Sequence, residues 1–141
     1  MTKRLRSERG AALIETAVTI PMLLLVAVAI FEFGRAYQTW QVLTNAAREG
    51  ARVSVLPTAT VDDVKATVVN YMQGGALPNA TADMVTVDRN AAVNGKTASQ
   101  IGIDFPFEFM VLGPVASLVK SGTLGEPLTM HATALMRNEA Q

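Results

Sequence analysis

Cysteine is absent from the chain, so disulfides, thiolate nucleophiles and thiolate metal ligands are all excluded. Histidine occurs once, at His131, between Thr129 and Thr133 in an alternating stretch. A transition-metal site there needs several carboxylates to gather round it, and none flanks it in sequence. Serine has no base partner other than that histidine, and no glycine-rich loop leads into a helix to cradle a phosphate. No catalytic residue, cofactor or metal ligand set is therefore expected, and the chain reads as a non-enzyme. Excess charge is lacking too: Lys and Arg number 12, as do Asp and Glu. Residues 1–10 carry four bases and one acid, and the remainder eight bases and eleven acids. That mildly acidic remainder offers no basic face for a nucleic acid.

What the chain has is one long apolar stretch. Between Arg9 and Arg35 only Glu15 and Glu32 can carry charge. As a helix rising about 1.5 Å per residue, 25 residues cover roughly 37 Å, against a hydrocarbon core about 30 Å thick. A single span satisfies its backbone in lipid only as a helix. Lys3, Arg4, Arg6 and Arg9 precede it against a single Glu8, which directs the N-terminus to the cytoplasm and residues after about 36 outward. The rival is a removed secretory signal. The stretch exceeds the usual apolar core of about 7–15 residues in such signals, and Phe31-Glu32-Phe33-Gly34-Arg35 leads into more helix rather than a cleavage site.

Glu15 admits two readings. Near the helix start it reaches the interface and gains from the positive end of the dipole. Alternatively, cleavage after Gly10 makes Ala11 a free amino terminus and Glu15 the fifth residue of the mature chain. The carboxylate then pairs with the amino terminus of a neighbouring subunit.

Bases, then Gly10, Glu15 five places on and an apolar helix resemble a class III prepilin leader of the type IV pilin superfamily. The longer pattern is more specific. Glu15, Pro21, Glu32-Phe33-Gly34-Arg35 and Thr44-Asn45-Ala46-Ala47-Arg48-Glu49-Gly50-Ala51-Arg52 resemble the TadE-like proteins, minor pilins (pseudopilins) of the tight-adherence, or Flp, pilus. The resemblance is dense over residues 9–53 and thin beyond. Thr16 departs from it, because family members often carry an aromatic after the Glu. It implies a prepilin peptidase cutting between Gly10 and Ala11, and an inner-membrane secretion platform with its ATPase. Other major and minor pilins are the implied partners, and adhesion is the implied purpose. Pro21 removes one backbone bond and bends the helix; in pilins a proline at this depth often accompanies local melting on filament packing.

Beyond the span the helix is expected to continue to Leu56-Pro57-Thr58. Tyr37, Trp40, Leu43, Ala47 and Ala51 draw one stripe, with Tyr37 and Trp40 at the level of an interfacial aromatic belt. Arg48, Glu49 and Arg52 lie off the stripe, as a solvated face or a contact to another subunit. A second helix begins at Thr60, with Asp62 and Asp63 in its first turn. Val61, Val64, Val68 and Tyr71 or Met72 form its apolar face, and Gly74-Gly75 ends it. Strands follow at Met84–Asp88, Ile101–Phe105 and Leu128–Met136. Asn94-Gly95 suggests a hairpin, but a simple two-residue turn puts Ile101 on the wrong face. A three-residue loop or a bulge aligns Val85 and Val87 with Ile101 and Ile103. Leu128, Met130, Ala132, Ala134 and Met136 share the face toward the helices. Residues 107–119 are apolar and broken by Gly113-Pro114, and either cover the core or form an exposed patch for a neighbouring subunit or the membrane surface.

The expected architecture is α+β: a long N-terminal helix carrying a small antiparallel sheet and one further helix. Its parts are a cytoplasmic leader (1–10), a transmembrane helix (11–34), a periplasmic helix extension (35–56) and a small periplasmic α+β domain (57–141). The expected function is that of a minor pilin that passes once through a bacterial inner membrane and joins a Flp pilus. The alternative is a signal-anchored periplasmic binding domain with no filament role, which leaves Gly10 and Glu15 with nothing to do.

Overall fold

A computed structural model of the chain describes residues 3–93, 96–114 and 127–138. Helix α1 (Lys3–Ser54) continues through Pro21. Helix α2 (Val61–Gly74) follows, then a single 3-10 turn (Ala82–Met84) and strands β1 (Val85–Val93), β2 (Lys96–Phe107) and β3 (Leu128–Arg137). The strands form an antiparallel sheet in the order β1-β2-β3. The class is α+β, as the sequence predicts. The chain divides into two compact units, Met1–Gly34 with Phe109–Gly125, and Arg35–Glu108 with Glu126–Gln141.

In the second unit a layer of two helices covers one face of the sheet. Leu43, Ala46, Ala47 and Ala51 of α1 are buried with Val64, Val68 and Met72 of α2 and with Val85, Ile101, Ile103, Phe105 and Ala132 of the sheet. Three- and four-residue spacing puts the α1 residues on one stripe. Of the expected stripe, Leu43, Ala47 and Ala51 are buried, whereas Tyr37 and Trp40, expected at the level of an interfacial belt, are exposed. The buried face turns instead through Thr39, Ala46 and Gly50. It is made of small residues because the backbones come close. A Cβ on Gly50 would stand 2.4 Å from Val68 Cγ2 and 3.4 Å from Ile101 Cγ2. Tyr37 and Trp40 pack on each other with centroids 6.2 Å apart.

The second helix starts as expected. Thr60 Oγ1 accepts from Asp63 N at 3.1 Å, while Thr60 N and its hydroxyl both donate to Asp63 Oδ2, at 2.9 and 2.7 Å. This reciprocal arrangement is a capping box. Val64, Val68 and Met72 face inward, whereas Val61 and Tyr71 are exposed. The end differs in detail from the double-glycine stop. Leu77 N donates to Met72 O and Ala76 N to Gln73 O, which is a Schellman closure. The left-handed residue in it is Ala76, with φ of 66°. Gly75 serves a different need, since a Cβ there would meet Val42 Cγ1 at 2.5 Å.

All three strands are longer than the alternating cores that identify them. Val85 pairs with Ile103 and Val87 with Ile101, the register that the hydrophobic faces require. The adjustment is a bulge inside β1: Asp88 pairs with Gln100 and Ala91 with Ala98, one residue more on β1 than on β2. Asn94 and Gly95 lie outside the described residues, bracketed by the Val93–Lys96 pair. At the bulge Asn90 N donates to Asp88 Oδ1, and Arg89 O accepts from Asn138 Nδ2 at 3.3 Å. Asn138 Oδ1 in turn accepts from Ser99 Oγ at 2.9 Å, so all three strands are tied at this end. In β3, Ala132 is buried and Met130 and Ala134 pack against the core. Leu128 and Met136 share that face but stay exposed. They lie near the ends of an edge strand, opposite Phe107 and Ser99, past the reach of the helices.

In the first unit the apolar residues of α1 point outward, among them Leu13, Met22 and Ile30, each about 70% exposed. Residues 109–114 belong to this unit, with a helical turn beginning at 112. Of the apolar stretch 107–119, Phe107 is buried in β2 and residues 115–119 lie outside the described residues.

Two measurements test this packing. Gly50→Ala should destabilise the full chain in detergent micelles by roughly 1–3 kcal/mol through overpacking, and adding Val68→Ala should recover part of that loss in thermal unfolding. The second concerns acid. Hydrogen bonds from the Thr60 backbone N–H, then from its hydroxyl, hold the Asp63 carboxyl below its ordinary value of 3.8. A carboxyl lowered by folding stabilises above its unfolded value and ceases to do so as pH falls through the folded one. The gap in thermal midpoint between wild type and Asp63→Ala should be full at neutral pH and close as the pH falls below the ordinary carboxylate range.

Candidate functional site

Helix α1 carries every residue singled out by sequence as functional. The Gly10–Ala11 bond lies within the helix, with Gly10 half-buried and Ala11 exposed. One turn on, Glu15 is exposed among apolar neighbours, and no contact with another described side chain neutralises its carboxylate. Thr16 and Thr19 turn their hydroxyls back onto the helix, donating to Ala12 O at 2.8 Å and Glu15 O at 2.7 Å. That satisfies two polar side chains without a partner outside the helix. The helix in this region is strongly apolar, with Leu13, Ile14, Val18, Met22, Leu23, Leu24 and Leu25 all exposed. By length and composition it can cross a membrane.

Glu32 is the opposite case. It is fully buried, and its Oε1 accepts from Val111 N at 2.5 Å and Leu112 N at 3.4 Å. A carboxylate and two peptide N–H groups each cost free energy when removed from water unpaired; here they satisfy one another. Sequence reasoning marked Glu32 only as a motif position and missed this contact, because the donors are backbone atoms 79 and 80 residues away. Phe33 is exposed and Gly34 is open on every side.

Arg35 begins the second unit, its guanidinium 5.3 Å from the centre of the Phe107 ring, within cation–π range. It also lines an open cleft of about 330 Å³ with Thr39, Leu77, Asn79, Phe105 and Glu108. Further along, Arg48 is exposed, its Nη1 3.5 Å from Asn45 Oδ1. Glu49 and Arg52 form a two-pronged pair, at 2.6 and 3.0 Å. That hydrogen-bonded pairing lowers the Glu49 carboxyl below its ordinary range and raises Arg52 above its own. The residues of this block therefore play different parts. Gly50 packs the core, whereas Arg48, Glu49 and Arg52 lie on the outer side.

Elsewhere the fold assembles a pair that the sequence conceals. Asp104 and His131 are opposite one another on β2 and β3, and His131 Nδ1 contacts Asp104 Oδ1. A carboxylate thus does stand beside the lone histidine, across strands rather than along one. Both are exposed, and among the described residues no group of three or more potential ligands is placed to hold a metal ion.

With this geometry in view, the comparison with protein families bears on the same helix. Residues 10–52 match the TadE-like protein family. The matching segment holds Gly10, Glu15, the Glu32–Arg35 motif and the Arg48–Arg52 block. No curated protein and no solved structure matches the chain.

The Glu32 contact in the TadE-like segment is directly testable. Glu32→Ala leaves the Val111 and Leu112 N–H groups without this acceptor and should cost roughly 1–3 kcal/mol. Hydrogen–deuterium exchange should speed up at residues 111–112 while α2 keeps its protection.

Proposed function

We propose that the chain is a minor pilin (pseudopilin) that joins or primes a tight-adherence (Flp) pilus. The short basic N-terminus lies in the cytoplasm, α1 crosses the inner membrane once, and the α+β domain is periplasmic. A prepilin peptidase cuts between Gly10 and Ala11, and the secretion platform with its ATPase handles the product. The chain itself catalyses nothing; it is the substrate of that peptidase and a partner of other major and minor pilins.

The observation that carries this reading is the state of Glu15. An exposed carboxylate in an apolar helix is expensive in lipid, by about 2.5–3.5 kcal/mol at mid-bilayer for an acidic residue on insertion scales. A charge-paired amino terminus from a neighbouring subunit removes that cost. Cleavage creates such an amino group at Ala11. The membrane thus holds the subunit until pairing draws its helix into a bundle, where the exposed apolar side chains pack on other helices.

Two experiments test the reading. Intact mass of the protein purified from its own membrane should correspond to a chain beginning at Ala11; retention of residues 1–10 would favour a signal-anchored domain. Glu15→Gln and Glu15→Val should abolish incorporation into filaments while membrane insertion is kept. Normal piliation by either variant would remove the role given to Glu15.

A further inference from the structure

We propose that residues 109–112 (Phe-Met-Val-Leu) form a second membrane contact, an apolar loop seated in the lipid interface at the Gly34 end of the span. Its partner is the phospholipid bilayer. The inference rests on reading residues 11–34 as a membrane helix, and it decides among core, neighbouring subunit and membrane surface, the three fates that sequence alone leaves open for this segment, which lies outside the family match.

Depth comes first. At about 1.5 Å per residue, Glu32 stands roughly 33 Å along the helix from Gly10, which is the far edge of a hydrocarbon core about 30 Å thick. The Glu32 carboxylate accepts the Val111 and Leu112 N–H groups, so the loop is pinned at that level. Irregular backbone at the edge of lipid has to find hydrogen-bond partners within the protein. A carboxylate at the same depth needs donors. Each supplies what the other lacks, and neither arrangement is required of a loop in water, where solvent does both.

Composition comes second. Between Glu108 and Lys120 the chain has no charged residue, whereas surface loops are built from polar and turn-forming types. Met110 is 60% exposed, and at the same level of the helix Ile30, Phe31 and Phe33 are all more than half exposed. Residues 109–114 and the apolar helix belong to one compact unit. Met110 is the exposed residue of the loop, with Phe109, Val111 and Leu112 half-buried, and its side chain adds to the outward-facing apolar surface of the span; a patch of this kind marks a contact.

The absence of native cysteine makes the test direct. Met110→Cys, Leu24→Cys and Thr86→Cys are each labelled with an environment-sensitive fluorophore and the full chain is placed in phosphatidylcholine–phosphatidylglycerol vesicles. Spin-labelled lipids quench from within the bilayer and iodide from the water. The expected result is quenching of the Leu24 probe by deep spin labels, of the Met110 probe by shallow ones, and of the Thr86 probe by iodide alone. A Leu24 probe untouched by lipid labels overturns the membrane span itself, and the loop contact with it. Lipid quenching at Leu24 with iodide quenching at Met110 overturns the loop contact alone. So does a Met110 probe shielded from both quenchers, which would mean that protein covers the loop.

Discussion

An apolar helix whose large side chains face mostly outward is stable only where water is excluded, and the first unit is shaped by that constraint. Burial of apolar area is worth about 25 cal/mol per Å², and Leu13, Ile14, Val18, Met22, Leu23, Leu24 and Leu25, each more than 60% exposed, obtain little of it from their own chain. Lipid or a bundle of other helices has to supply it. Every polar group placed on this helix must then be answered locally, and the two threonines in its first half do so with their own backbone.

The two carboxylates of the helix meet the same demand in opposite ways. Glu32 is answered inside the chain, by peptide N–H groups of a distant loop. Glu15 is left exposed. One is therefore a structural anchor, and the other meets no side-chain partner among the described residues. A motif that holds both does not draw this distinction.

Close approach governs the second unit as exposed apolar surface governs the first. Gly50 lets α1 lie against Val68 and Ile101, and Gly75 makes room for Val42. The left-handed turn that ends α2 is left to Ala76, in a geometry that disfavours residues bearing a Cβ. A glycine in these positions thus provides steric clearance rather than backbone freedom. The bulge in β1 is a comparable adjustment: one extra residue puts Val85 and Val87 on the core face and frees the Arg89 carbonyl to tie down Asn138.

Periodicity and local chemistry in the sequence determined the elements. The unbroken apolar run specified the long helix, Thr60 and Asp63 its successor's start, and alternation the three strands with the register of Val85 and Val87 against Ile101 and Ile103. They also singled out Glu15, whose cost depends only on its apolar surroundings. The tertiary structure decided what depends on atoms far apart in sequence. Tyr37 and Trp40 continue the spacing of Leu43, Ala47 and Ala51, yet only three-dimensional packing reveals that they stay exposed while those three are buried. Glu32 looked like one more motif position until backbone N–H groups from residues 111 and 112 reached it. Asp104 and His131 became neighbours because β2 and β3 pair. Spacing along one chain segment reports which face a residue takes; it carries no information on what another segment brings to that face.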